Sequence, residues 1–498
     1  MARTLKAGSA GGMSRLRRFA QNHLGVIMTD DMNQVKQFRD PALDLLDQYY
    51  ESTQYDGLMD WSEAVKQEEY VPIRDRKPRI IYNVAKLVVD KVAAKLIGEA
   101  TFPKFLIEDD DDDTAFFRTV QKAVKFRRSL IDPVKHMLIS GSVFVRYYLI
   151  NGIPKIEYAK SKYCYPAFDG SGELEQIEVR YVYEDQNDRN ANGTPIQKWY
   201  KLLLTKTADI MFDNPVYRAG VRPTFEEVGR NEHGLGWVQG EWLVTHSDKF
   251  DYDGYGIFCD ILGFIDELNY SLSQSGQASS YNQEPQLVFN KMDEDEIEKL
   301  IRSSQKAWNL GREGEGKYLE SDMKGVDAAS DLRDKMHHLM LNVVRVVIND
   351  PEKMSGGPQS GDALKQLMAP LIELIDELRT VVELNVVNLL IKVGMTCLHY
   401  NALGAQTNVQ TPPGYMPSSL DVTVQWPSIV PATINDINLM AQAANSLSTA
   451  QIVSRESLTR WIASATPIID NPDEELKKID AQEPLPSPFG SFGDGGGQ

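Results

Sequence analysis

The feature that most constrains this chain is a double change of hydrophobic period along its length. From Tyr82 to Ile97 apolar residues recur at three and four (Val84, Leu87, Val88, Val92, Leu96) and stop at Gly98, the pattern of an amphipathic helix closed by a glycine. Between Ser142 and Leu243 the period falls to two. Val143, Val145 and Tyr147 face one way, Asn151-Gly152 supplies a hairpin turn, and the runs Ile177 to Tyr183, Lys198 to Thr205 and Trp237 to Val244 are separated by polar loops, a sheet signature. Helical period returns with Phe258, Ile261, Leu262, Ile265, Leu268 and Leu272. Segregation of strands from helices in this way predicts an α+β fold.

Further helices are expected over Pro41 to Tyr50 and from Asp113 to about Phe126, where alternation takes over. After the helix ending near Pro285 comes a small insert: the apolar run Gln286 to Phe289, an acidic-started helix from Asp293 to Leu310, and the run Lys317 to Glu320. Leu332, Met336, Leu339, Met340, Val343 and Val347 then form an apolar stripe, with His338, Asn342, Arg345 and Asn349 on another face. Two helices therefore bracket the insert, and the stripe reads as buried packing. The Gly- and Pro-rich loop Pro351 to Gly361 precedes a helix over Asp362 to Val393, where Pro370 predicts a kink. A strand over Leu420 to Trp426, three helices (Ile434 to Ala444, Glu456 to Ser464, Pro472 to Ile479) and a low-complexity tail from Pro484 complete the chain.

At 498 residues the chain is long enough for several cores. Its net charge of −18 argues against a tight grip on duplex DNA, because affinity for phosphates comes from Lys and Arg that release counterions. An acidic wall around DNA would instead repel it and let it slide. Cys164, Cys259 and Cys397 lie far apart with no CxxC pair, which suggests neither a disulfide framework nor a zinc knuckle. Arg3, Lys6, Arg15, Arg17 and Arg18 lead the chain without an apolar segment behind them and read as a basic disordered arm, not a secretory signal. The stretch Val381 to Val393 is interrupted by Glu383, Asn385, Asn388 and Lys392 and is not expected to span a bilayer.

No catalytic fingerprint stands out. Gly311 to Lys317 has the glycines of a phosphate loop, but Lys317 is followed by Tyr318 and not by Ser or Thr, so it reads as a polar hairpin loop. Gly357 to Gly361 has the wrong spacing for a nucleophile elbow. His337 and His338 project about 100° apart on a helix and cannot share a metal as an i, i+4 pair could. His246, Ser247 and Asp248 are consecutive, unlike a triad assembled from distant segments. Asp109 to Asp113 reads as a solvated acidic loop. Neither a catalytic residue nor a metal or other cofactor is predicted.

Several stretches resemble the portal proteins of tailed double-stranded-DNA bacteriophages. Arg79-Ile-Ile-Tyr-Asn83 through Asp90, then Leu96-Ile-Gly98, is similar to the family's amino-terminal wing helix, and Asp248 to Asn269 to its first stem helix. Glu284 to Phe289 is similar to the strand entering the clip, and Ser360-Gly361-Asp-Ala-Leu-Lys365 to the turn where its long helix starts. Trp426-Pro427, Asn435 to Ala444 and Ser454 to Thr459 resemble the passage into the crown, and Pro472 to Leu476 its closing helix.

The resemblance implies a portal fold: a basic arm (1–30), an α+β wing (31–255), a stem helix (256–283), a small α/β clip (284–326), a second stem helix (327–350), a tunnel loop (351–361), a long kinked helix with a return strand (362–427), a helical crown (428–483) and a disordered tail (484–498). It implies a non-enzymatic twelve-subunit ring at one capsid vertex, assembled in the host cytoplasm, through which double-stranded DNA is packaged and ejected. Partners would be the terminase large subunit, a head-to-tail adaptor, and the major capsid and scaffolding proteins, with no membrane. Tunnel-loop residues touching DNA would be Lys353, Met354, Ser355, Gly356, Gly357, Gln359 and Ser360. Docking residues of the clip would be Gln286, Val288, Asn290, Arg312, Glu313, Glu315 and Lys317, and the stem would present His338, Asn342, Arg345 and Asn349. The competing class is a packaging enzyme, a terminase-like ATPase or nuclease, which requires a Walker A loop or clustered metal carboxylates.

Overall fold

The computed structural model describes residues 32–67, 69–107, 111–245, 252–283, 286–290, 315–319, 324–347, 361–405, 407–412, 414–429, 434–449, 453–465 and 472–481. In chain order the helices are α1 (Met32–Glu51), α2 (Trp61–Val65), α3 (Val84–Ile97), α4 (Asp111–Ala123), α5 (Phe126–Ser140), α6 (Leu262–Gln283), α7 (Lys324–Val343), α8 (Gly361–Ala402), α9 (Ile434–Thr449), α10 (Arg455–Ala465) and α11 (Pro472–Ala481). The strands are β1 (Met59–Asp60), β2 (Arg76–Lys77), β3 (Lys104–Ile107), β4 (Ser142–Ile150), β5 (Ile153–Lys160), β6 (Cys164–Phe168), β7 (Leu174–Arg189), β8 (Pro195–Thr205), β9 (Ala208–Phe212), β10 (Glu227–Glu232), β11 (Gly240–Val244), β12 (Gln286–Asn290), β13 (Glu315–Leu319) and β14 (Val422–Gln425). The fold is α+β, as the change of period predicts.

The described residues fall into two compact units. The first takes in the described parts of Met1–Val92, Asp132–Tyr148 and Ile156–Val346. Its sheets are an antiparallel meander in the order β10-β9-β8-β7-β6 and a three-stranded sheet, β11-β4-β5. Inward-facing residues of both sheets share one core: Phe144 and Trp242 from the smaller sheet pack with Cys164, Ile177, Val179, Leu202 and Leu204 from the larger. The Asn151-Gly152 turn forms as its residue types demand, with φ of 51° and 77°, the left-handed region that such two-residue hairpins require.

The second unit takes in the described parts of Ala93–Ile131, Leu149–Lys155 and Val347–Gln498. Its centre is α8, which packs on α4 and buries Leu371, Ile375, Leu378, Val382, Val386, Leu389 and Val393, the three-and-four spacing of a core-facing stripe. Over Gln366–Ala402 this helix is long and apolar enough to cross a bilayer by composition alone, but half of its most apolar window is buried inside the fold. Beside it β14 pairs antiparallel with β3, from Val422 opposite Ile107 to Gln425 opposite Lys104.

Two expectations change here. The segment after Phe126 is not the start of the strands but a second helix, α5, which continues through Pro133. The acidic run is also not a wholly solvated loop: residues 111–113 open α4, and Asp113 is only 1% exposed. Its carboxylate accepts hydrogen bonds from the Tyr415 hydroxyl, from Ser418 N and Oγ (both 2.7 Å) and from Ser419 N (3.3 Å). Burial alone would raise its pKa, but these donors outweigh burial and hold it below the ordinary carboxylate value. With the folded pKa below the unfolded one, the stabilisation is fully present above about pH 4 and is lost as pH falls through the folded value. Asp113→Asn is therefore expected to cost about 1–3 kcal/mol at pH 7, with a smaller deficit at pH 2.5. Urea unfolding at the two pH values checks this, and a deficit independent of pH would contradict it.

Candidate functional site

Within the first unit, the bracketed insert predicted from sequence takes shape as helix, ribbon, helix. α6 and α7 pack along one another, and between them in sequence β12 pairs antiparallel with β13, from Gln286 opposite Leu319 to Asn290 opposite Glu315. Gln286, Val288 and Asn290 thus lie on one strand of the ribbon, and Glu315 and Lys317 on the other. Arg312 and Glu313, the helix expected over Asp293 to Leu310, the histidine loop at 246–248 and all seven tunnel-loop residues lie outside the described residues.

One side of α6 is apolar, with Leu262, Ile265 and Leu268 buried. A second side is a polar clamp. Asp266 accepts from Tyr49 Oη (2.7 Å) and Tyr55 Oη (2.5 Å), Asn269 Oδ1 accepts from Tyr82 N (2.8 Å), Ser273 Oγ accepts from Ile80 N (3.0 Å), and Trp61 Nε1 donates to Gln277 Oε1 (2.7 Å). The resemblance drew attention to Asp266 and Asn269 as part of a helix. Their role in tying the helix to α1 and to the segment before α3 could not be read locally, because their partners stand 187 to 217 residues away.

α7 is where the expected stripe divides. Met340, Leu341 and Val344 are buried, but Leu332, Leu339 and Val343 are 57%, 54% and 50% exposed. Their spacing of seven and four puts them on one face. Part of the stripe read as buried packing is thus uncovered in a single chain. Of the expected polar face, His338 and Asn342 are exposed, and the helix ends at Val343 with Arg345 beyond it at φ 56°. Asn349 lies outside the described residues. His337, beside His338, is not a plain surface residue: its ring lies 5.7 Å from that of Tyr82, and burial lowers its pKa.

The approach to α6 is fixed by a buried ion pair that sequence reading missed. Arg39 donates from Nε to Asp253 Oδ2 (2.5 Å), and from Nη2 to Asp253 Oδ1 (2.7 Å) and the Ser161 carbonyl (2.8 Å). Ser142 Oγ adds a fourth contact, to Asp253 Oδ1 at 3.3 Å. Close by, Gly141 (φ 88°) and Gly254 (φ 66°) approach so tightly that a Cβ on Gly254 would lie 2.4 Å from the Gly141 carbonyl oxygen, so both positions require glycine. This node joins α1, the start of β4, the turn before β6 and the loop leading into α6.

The three cysteines are free and buried, and burial pushes their thiols up, that of Cys397 to about 12, which makes them inert core residues. Among the described residues no group of three His, Cys, Asp or Glu is placed to hold a metal ion.

Residues 33–484 match the family described as phage portal protein, SPP1 Gp6-like. The chain belongs to that family. Portal proteins are in general structural rather than enzymatic components, and this portal protein is a component of a phage virion. Among solved structures, 118 chains match. One, from the virion of a native gene transfer agent particle, is 12% identical over 76% of this chain and 88% of its own, with a TM-score of 0.34. No curated protein sequence matches the portal chain.

Proposed function

We propose that this portal protein closes into a ring of about twelve copies at one capsid vertex and forms the channel through which double-stranded DNA is packaged and ejected. The observation that carries the reading is the uncovered apolar row Leu332, Leu339 and Val343 on α7, a row that side-by-side packing of helix pairs around an axis would bury. Head-to-tail contact of this kind uses two different faces of each subunit and gives a closed ring when its rotation closes.

Membership of the portal family supports the same reading, and the charge fits it. A ring of chains at −18 each carries a net negative charge that repels phosphate overall, so DNA slides with few sticking contacts. In this reading the loop 351–361 supplies those few contacts through Lys353, which touch the backbone without reading sequence. The ribbon of β12 and β13, with the residues between them, docks the terminase large subunit and later the head-to-tail adaptor, while the β-rich region meets capsid and scaffolding proteins. Lys353→Glu is expected to leave ring assembly intact and to lower the amount of stably packaged DNA several-fold in a nuclease-protection assay. Packaging at the level of the unsubstituted chain would remove Lys353 from the channel role. A packaging ATPase or nuclease is the weaker alternative, since Gly311 to Lys317 lacks the Ser or Thr that a phosphate loop needs.

A further inference from the structure

The corner between α4 and α5, in the second unit, is built against the charge of the rest of the chain. From Thr114 to Ile131 there is no acidic residue, yet Arg118, Lys122, Lys125, Arg127 and Arg128 fall within eleven positions. All five are exposed. They line an open concavity of about 440 Å³ whose floor includes the buried ring of Phe126.

Although Lys122, in the last turn of α4, sits where a cation is favoured, the placement works against the stability of the isolated chain in two other ways. Arg118 and Lys122 stand four apart on α4, where like charges repel across one helical turn. Arg127 and Arg128 occupy the first turn of α5, where the exposed amide groups already carry positive charge and acidic side chains are favoured. Lys125 turns the corner in the left-handed region (φ 51°) and lines the same concavity. Among the described residues the acid paired with the cluster is Glu99, 3.6 Å from Arg127 and 89% exposed, too solvated to neutralise it. An anion seated in the concavity relieves both repulsions at once.

The geometry points to this corner as a binding surface for the phosphate backbone of duplex DNA, a contact outside the channel loop. Five cations, two on α4, one in the turn and two on α5, suit a row of repeating phosphates, which need charge and little shape. An acidic peptide would need, in addition, pockets for successive side chains. The inference deepens the DNA-conduit reading and rests on it only for the presence of DNA, so the oligomeric state of each preparation is recorded separately by mass photometry.

The test uses the full chain and a fluorescein-labelled 30-base-pair duplex of arbitrary sequence. Anisotropy titrations across 50 to 200 mM salt are run for three proteins: the unsubstituted chain, Arg118→Gln/Lys122→Gln/Arg128→Gln, and Arg15→Gln/Arg17→Gln/Arg18→Gln as a control for the basic amino-terminal segment. Loss of three phosphate contacts is expected to weaken binding at least about tenfold at low salt and to reduce the slope of log affinity against log salt by about 3. The amino-terminal variant keeps the corner's contribution. Acylation of lysines read by mass spectrometry gives a second readout on the unsubstituted protein, independent of variant folding, in which bound duplex protects Lys122 and Lys125. Equal affinity and salt slope in the corner variant would overturn the assignment, as would Lys122 and Lys125 reacting equally with and without DNA. Protection by polyglutamate but not by duplex would also overturn it and assign the corner to an acidic protein partner.

Discussion

Arg39→Met is expected to destabilise the chain by about 3–5 kcal/mol, because it leaves the Asp253 carboxylate buried without its counter-ion. Both side chains are almost fully enclosed, at 2% and 4% exposure, and the pair is bidentate, the geometry in which guanidinium and carboxylate interact most strongly. Removing the arginine also strips a donor from the Ser161 carbonyl and takes away a cation lying 5.6 Å and 5.5 Å from the ring centres of Tyr165 and Tyr252. The Ser142 hydroxyl, a neutral donor at 3.3 Å, does not replace the lost positive charge. The double variant Arg39→Met/Asp253→Leu removes both charges and should recover much of the loss, since an apolar pair of similar volume often replaces a buried ion pair at little cost. Urea unfolding followed by circular dichroism tests both. A single variant within about 0.5 kcal/mol of the unsubstituted chain, the range of ordinary surface changes, would show that the node is not structural.

The second large effect concerns assembly. Leu339→Asp/Val343→Asp should abolish rings and leave monomers that melt at the temperature of the unsubstituted chain kept below its assembly concentration. Burial of the exposed half of each such side chain at a subunit contact is worth about 1 kcal/mol, and in a closed ring the loss recurs at every interface. Aspartates there would also have to be buried unpaired, which costs more than the lost apolar contact. Because both side chains are half exposed in the single chain, its own stability should hardly change. Mass photometry separates the outcomes. Rings of unchanged size would show that this face is not the contact, and a melting temperature far below that of the unsubstituted chain kept monomeric would show that the row is part of the chain's own core.

How much of this was legible in the sequence depends on how local each signal is. The Asn151-Gly152 turn was readable because one dipeptide carries its own requirement for positive φ. The helix α8 was readable because its stripe repeats over many turns, although its end at Ala402 lies nine residues past the expected Val393. The helix α5 was not read: it follows α4 after only two residues and contains Pro133, which ordinarily argues against a helix interior. Tertiary packing overrides that preference, with Leu130, Val134, Met137 and Leu138 all fully buried.

The site was legible as an order of elements and not as chemistry. Two helices around a small strand pair could be read from period alone, and β12, β13, α6 and α7 stand where that order places them. Asp113 was misread because five consecutive aspartates usually mark solvent, while its partners Tyr415 and Ser418 stand some 300 residues on. Arg39 and Asp253, 214 residues apart, carry no local sign of pairing. The uncovered row on α7 was read as core because a stripe that a neighbouring subunit would cover has the same spacing as one the chain covers itself.

Negative-stain electron microscopy of the purified full chain, with end-on particles scored for rotational symmetry, tests the ring reading most directly. Rings of about twelve subunits around a central hole, with thirteen or eleven also compatible, are the predicted result. Monomers or compact dimers persisting under conditions that permit assembly would contradict it.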